Sequence, residues 1–261
     1  MIIGGREYRD RTYVMAIINL TPDSFYSGSR RTADDVLFAV EKAASDGAAI
    51  IDIGAQSTRP SYTEVSADEE IRRFEKPLKM IKERFDIPVS MDTYFPKSAS
   101  AALSLGADMI NDVWGLNYDG MAETIAKFDA AACIMHNSHT PLEGDIFKDI
   151  NSFLKASIKR ALEAGIDKNK ICIDGGIGFA KNAEQNWLLL NNYEKLNELG
   201  YPTLLGCSRK SMFGGKAEDR LAPTVEATRL AVRKGVLFVR VHDVKENVEA
   251  IEREYENGGE K

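Results

Sequence analysis

Eight times along this chain, a short run of apolar and β-branched residues carries a polar residue at or near its end and gives way to a stretch with helical spacing. The runs cover residues 13–18, 49–53, 88–91, 108–110, 131–135, 171–174, 202–206 and 237–241. The helical stretches cover 33–46, 66–85, 97–105, 119–128, 147–164, 184–199, 223–234 and 245–255. Gly47, Gly106, Gly165 and Gly200 stand where four of these stretches stop, and Ser66 with Glu69 forms a capping box where another begins. Apolar runs this short, bounded by glycine and polar residues, read as strands buried on both faces. Strict alternation of strand and helix calls for parallel pairing, and eight units in 261 residues match a closed (β/α)8 barrel, the TIM barrel. An open doubly wound sheet would want a GxGxxG turn after its first strand, and none is present. With 44% hydrophobic residues and no linker-like or low-complexity segment, one domain over residues 1–261 is expected.

A barrel of this kind carries its active site at the C-terminal ends of its strands. This chain places Asn19, Asp52, Asp92, Asn111, Asp112, His136, Asn137, Asp174, Ser208, Arg209, Lys210, Arg240 and His242 there. Any one of them could serve a turn. So many polar groups on one rim point to a functional site, because the opposite end of a barrel serves stability alone. Asp174 is the centre of the pattern. It ends an apolar strand inside ICIDGGIGF (171–179), and Gly175 and Gly176 let the backbone bend or approach a ligand closely.

Charge divides this rim. The third, fourth and sixth strands supply Asp92, Asn111 and Asp174, whereas the seventh and eighth supply Ser208, Arg209, Lys210, Arg240 and His242. The loops after strands seven and eight are the usual phosphate site of the fold, so an anionic group is expected on that side. On the other, carboxylates and amides suit a flat heterocycle that offers an N–H beside an amino group. Two further loops, 21–31 and 55–63, are long for their position and rich in Pro, Ser and Gly, as lids are.

Net charge is −6, so the molecule as a whole does not attract nucleic acid or an acidic membrane, and any anion must be held by a local basic site. No apolar stretch approaches the ~20 residues of a membrane span. Cys133, Cys172 and Cys207 are odd in number and form no CxxC pair, which suits buried thiols rather than disulfides or zinc. A soluble cytoplasmic protein is expected.

The ordered motifs NLTPDSF, DIGAQSTRP, SMDTY, INDVWG, IMHN, DGGIGFAKNAEQN, LLGCSRKS and FVRVHDV, running from about residue 15 to 244, closely resemble the dihydropteroate synthase family of folate biosynthesis. The resemblance implies a (β/α)8 barrel, a homodimer and a sulfonamide target. It implies condensation of 6-hydroxymethyl-7,8-dihydropterin pyrophosphate with para-aminobenzoate, with Mg2+, releasing pyrophosphate. Carried over by position, Asp92, Asn111, Met135, Asp174, Phe179 and Lys210 would hold the pterin. Asn19, Thr58, Arg59, Arg240 and His242 would hold the pyrophosphate, with Asn19 also at the metal. Phe25, Pro60, Phe179 and Ser208 would hold the aminobenzoate, and Asp92, Asp174, Lys210, Arg240 and His242 would form the catalytic set.

The chain departs from the family pattern mainly in the two long loops. Ser27 replaces an Asp, Ser29 a Gly, Gln56 a Glu and Ser61 a Gly, while Gly175 replaces a Pro and Cys207 a Thr. The resemblance therefore admits a working synthase or a pterin-binding paralogue with weak or no synthase activity. A pterin-dependent methyltransferase fits less well, since Arg240 and His242 would have no task there.

Overall fold

Alternation along each strand decides which side of the sheet a residue faces, and here both sides are buried. In the computed structural model, which describes residues 1–20, 33–56 and 65–258, the first two strands are a short antiparallel hairpin, β1 (Ile2–Ile3) and β2 (Arg6–Glu7). The eight that follow are β3 (Tyr13–Asn19), β4 (Ile50–Gly54), β5 (Val89–Asp92), β6 (Met109–Asp112), β7 (Ala131–Met135), β8 (Ile171–Asp174), β9 (Thr203–Leu205) and β10 (Phe238–Val241). They pair in parallel in sequence order, and β10 returns to pair with β3, closing the expected barrel.

The helices between and after them are α1 (Ala33–Ser45), α2 (Ala67–Arg84), α3 (Pro96–Ser104), α4 (Met121–Lys127), α5 (Ile146–Glu163), α6 (Ala183–Asn191), α7 (Leu221–Arg233) and α8 (Val244–Gly258). The cap of α2 is as the sequence implies: the Ser66 side chain accepts from the Glu69 N–H. Outward strand residues such as Val14, Ala16, Ile51, Ile53, Ile134 and Ile173 pack with the apolar faces of the helices in one continuous core. Inward residues at the N-terminal end, Met15, Ile50, Met109, Cys133, Cys172, Leu204 and Phe238, form a second core inside the barrel. Ile3 and Tyr8 close it from below, and the Tyr8 ring meets those of Tyr13 and Phe238 edge-on at 5.0 and 5.4 Å. All three cysteines are buried free thiols.

Two departures from the sequence reading matter. The hairpin was not foreseen, because strands of two residues have no period to detect. The helix expected over 184–199 stops at Asn191 and resumes as a 3-10 helix, Tyr193–Leu199. Asn192 leaves helical backbone angles, and its side-chain amide donates to the Leu188 carbonyl, a local competition that Asn favours. The break turns Tyr193 inward, where it is almost wholly buried.

Candidate functional site

Asp174 ends β8 facing the barrel mouth, and its surroundings are built from its own loop. Its Oδ1 accepts the Gly176 N–H at 2.7 Å and lies 2.9 Å from the Tyr193 hydroxyl. That hydroxyl also accepts the Gly175 N–H at 3.0 Å and sits 2.5 Å from the Leu204 carbonyl oxygen. Tyr193 has one hydroxyl hydrogen for two oxygen neighbours. A proton on Asp174 would make both contacts hydrogen bonds, and burial does raise this carboxyl above its ordinary range, with Lys210 pulling the other way. A Cβ at Gly206 would stand 3.3 Å from Asp174 Oδ2, so the glycine keeps that side of the carboxyl open.

Lys210 closes over the same loop. Its ammonium donates to the Ile177 carbonyl and lies 4.5 Å from the centre of the Phe179 ring, a cation–π contact. Burial lowers Lys210 to about 8, opposed by Asp174. Phe179 packs beside Met135, Tyr94, Val113 and Trp114 in an apolar patch at the rim. The structure thus brings Asp174, Lys210, Phe179 and Met135 together, with Asn111 buried on β6 in register with Asp92 on one side and Cys133 on the other.

Arg240 lies elsewhere than the division of charge suggested. Rather than standing apart from the carboxylates, its guanidinium crosses the mouth. Nε donates to Asp52 Oδ2 and Nη2 to Asp92 Oδ2, both at 2.6 Å. Two buried carboxylates need a buried cation, and a long planar side chain reaches both. Burial works against the Arg240 charge, but Asp52 and Asp92 more than offset it and raise its pKa. Burial, reinforced by Asp52, also lifts Asp92 above the usual carboxylate range in spite of Arg240. The sequence places Asp52 on the rim without showing its role. A lone charge inside the otherwise apolar run IIDIG was the available signal.

Ser208 and His242 meet, with Ser208 Oγ 3.0 Å from His242 Nδ1 and accepting the His242 backbone N–H at 3.2 Å. Arg209 is bound to Asp243 through Nε at 2.8 Å, so its charge is already neutralised. Asn19 ends β3 opposite Gly54, where a Cβ would come within 3.2 Å of Asn19 Oδ1. Other rim residues serve the backbone. Asp112, raised to about 6 by burial, accepts the N–H groups of Trp114 and Leu116, and Asn137 donates to the Val113 carbonyl. Phe25, Thr58, Arg59 and Pro60 lie outside the described residues, as do Ser27, Ser29 and Ser61. Gln56 is described and buried: its amide donates to the Tyr94 hydroxyl at 2.5 Å and accepts the Val65 N–H at 3.1 Å. Among the described residues, no group of three or more His, Cys, Asp or Glu side chains could hold a metal ion by itself.

The family described as pterin binding enzyme matches residues 15–242. A dihydropteroate synthase of Clostridium beijerinckii is 46% identical over 259 residues, covering 96% of this chain and 96% of that protein. One from Bacillus subtilis is 40% identical and covers 92% and 86%. Among solved structures, a dihydropteroate synthase from Clostridium difficile in the presence of pteroic acid superposes with a TM-score of 0.93 at 44% identity, covering 97% and 98%. The Yersinia pestis dihydropteroate synthase with a sulfonamide drug complex gives 0.92 at 36% identity, covering 100% and 99%.

Proposed function

The chain belongs to the dihydropteroate synthases, within the pterin-binding enzymes, and from that premise we propose how its barrel mouth divides the work. The enzyme is a transferase that joins the methylene of dihydropterin pyrophosphate to the amine of para-aminobenzoate and releases pyrophosphate. The observation that carries the assignment of roles is Asp174, a buried carboxyl braced on Oδ1 and open on the Oδ2 side.

The pterin offers Asp174 an N–H and an amino group side by side, the pairing a carboxylate accepts best. Burial raises the Asp174 carboxyl, and the two ligand donors would stabilise its charged form. Asn111 and Asp92 complete the polar edge, and Lys210 reaches the carbonyl side of the ring. Phe179 and Met135 supply the apolar wall, shared with the aminobenzoate, and Ser208 binds its carboxylate.

The leaving group falls to Arg240, His242 and Asn19. Turning Arg240 toward a pyrophosphate frees Asp92 for the pterin, while Asp52 keeps hold of the guanidinium through Nε. Charge developing on the departing oxygens is then met by a cation tethered by Asp52 in a low-dielectric site. The neutral arylamine attacks without a strong base, so no nucleophilic Ser or Cys is needed. Mg2+ belongs to this proposal. Among the described residues no group of three or more His, Cys, Asp or Glu side chains could hold it, so Mg2+ would be brought in on the pyrophosphate, with Asn19 Oδ1 as the protein oxygen that would hold it. When bound it would neutralise charge on the leaving group.

A homodimer and a cytoplasmic location complete the reading. Trp187 and Leu188 on α6, 42% and 47% exposed, support a partner surface. Among the described residues no helix is long and apolar enough to cross a membrane, and three buried free thiols suit a reducing compartment. Pyrophosphate release should be measured with dihydropterin pyrophosphate and Mg2+, with and without para-aminobenzoate. Aminobenzoate-dependent release that yields dihydropteroate is expected, and pterin binding without condensation would overturn the assignment of roles.

A further inference from the structure

The loop that follows Asp174 is folded tightly against the end of β7. Gly176 has φ +71°, and a Cβ there would come 2.0 Å from the His136 carbonyl oxygen, so only glycine permits the approach. The Phe179 N–H closes a turn on the Gly176 carbonyl at 3.1 Å. Lys210 grips this turn from the substrate side, through the Ile177 carbonyl and the Phe179 ring. Behind it lies a second lysine to which no role has been given.

Lys181 Nζ is 3.0 Å from the Gly176 carbonyl oxygen, 3.0 Å from the Phe179 carbonyl oxygen and 2.9 Å from His136 Nδ1. An ammonium carries three hydrogens, and here each has an acceptor. His136 is well suited to receive one. Burial and the neighbouring Lys181 push its imidazole down to about 3, so the ring is neutral, and in its Nε2–H tautomer Nδ1 accepts from the ammonium. The His136 backbone N–H donates to the Asp174 carbonyl at 2.9 Å, and its ring rests edge-on against Phe153 at 4.9 Å. The main chain of Lys181 is held as well: its carbonyl accepts from Asn186 Nδ2, and Asn186 Oδ1 accepts the Gly178 N–H.

We propose that Lys181 is a positioning residue for the condensation. By tying the carbonyls at both ends of the Gly176–Phe179 turn to the buried ring of His136, it fixes the Phe179 ring beneath Lys210 and beside Met135. The wall shared by the two substrates is then formed before either arrives. This rests on the reading of Phe179 as that wall. The clamp does not depend on a single protonation state. Burial, with Lys210 adding repulsion and Asp174 opposing it, lowers Lys181 to about 7. Once neutral, the amine still donates to two carbonyls and accepts from His136 in its Nδ1–H tautomer. Asp174, Lys210 and His136 are the titratable groups that face it.

The test uses the full chain with Lys181→Met, Lys181→Arg, His136→Leu and His136→Asn. Asn places an amide oxygen near the position of Nδ1, so it keeps an acceptor that Leu removes. Two readouts are taken: amide hydrogen exchange over residues 175–182 without substrate, and kcat with KM for each substrate. Losing a charge-assisted buried hydrogen bond should speed exchange in the turn by about tenfold or more in Lys181→Met and raise the aminobenzoate KM by about tenfold. The kcat value should stay within about threefold, because Arg240, His242 and Ser208 are untouched. His136→Leu should follow the same direction and His136→Asn should return toward the parent. Should Lys181→Met fail to fold, the two His136 variants carry the comparison.

Unchanged exchange in the turn would overturn the clamp. Faster exchange with an unchanged aminobenzoate KM would show that the clamp does not position the ring, and would overturn the proposal. A parent protein that makes no dihydropteroate would instead sink the synthase reading, and the exchange readout would still judge the clamp.

Discussion

Tyr193→Phe isolates one oxygen atom at the centre of the site. The ring is almost wholly buried, and Phe fills the same space, so no cavity opens. What is lost is a hydroxyl with three neighbours: the Gly175 N–H, the Leu204 carbonyl and Asp174 Oδ1. Orphaning the buried Gly175 N–H costs about 1–3 kcal/mol, and losing a bond to a carboxyl group costs about the same. Because a relaxed loop recovers part of this, the net loss should be about 2–4 kcal/mol, a fall in Tm of roughly 5–15 °C for a chain of this size. With its brace gone, Asp174 should also hold a pterin about tenfold less tightly, or about 1.4 kcal/mol. Thermal unfolding by calorimetry and titration with a non-reactive pterin read the two effects separately. A Tm within about 2 °C of the parent, together with unchanged pterin affinity, would refute the reading of Tyr193 as the brace of Asp174.

Three further outcomes follow from the same geometry. Arg240→Ala should lower kcat/KM by about a hundredfold or more and cost about 3–5 kcal/mol of stability, since it leaves Asp52 and Asp92 buried without a cation. Its Asp92 would then be raised further above the unfolded value, so the variant should regain stability as pH falls, which denaturant titrations between acid and neutral pH will show. Gln56→Glu should leave kcat/KM within about twofold, because a carboxylate accepts both the Val65 N–H and the Tyr94 hydroxyl; a large gain would mean that the missing charge limits this chain. Lys210, lowered to about 8, is charged below that pH and neutral above it. Dihydropterin affinity should therefore hold at neutral pH and fall as pH rises through about 8, and a limb that persists in Lys210→Arg would belong to another group.

The barrel was legible because its signal is repetitive: eight apolar runs, each with a polar residue at or near its end, and glycines where helices stop. The rim was legible for the same reason, since every strand end falls on one face. What stayed hidden depends on chain segments far apart in sequence. Arg240 reads as part of a basic cluster until the closed sheet brings it to Asp52 and Asp92, 188 and 148 residues away. Tyr193 reads as one more helical residue, and only the break at Asn192 turns it toward Asp174. Lys181 was visible within GFAKN, but a lysine two residues beyond an aromatic carries no pattern of its own. Its meaning comes from His136, just past the end of the neighbouring strand β7.

The closure of β10 on β3 also sets an order of assembly. As the chain emerges from the ribosome, Asp52 and Asp92 appear long before their cation. Until β10 docks, β3 and β9 each present an unpaired edge, and two carboxylates wait in a half-formed barrel without a counter-ion. The last strand of the barrel to be made therefore completes three things at once: the hydrogen-bonded ring, the ion pairs of Asp52 and Asp92 with Arg240, and the half of the mouth proposed to hold the leaving group. A nascent chain shorter than Val241 lacks all three, so competence to bind arrives with the final βα unit rather than growing strand by strand.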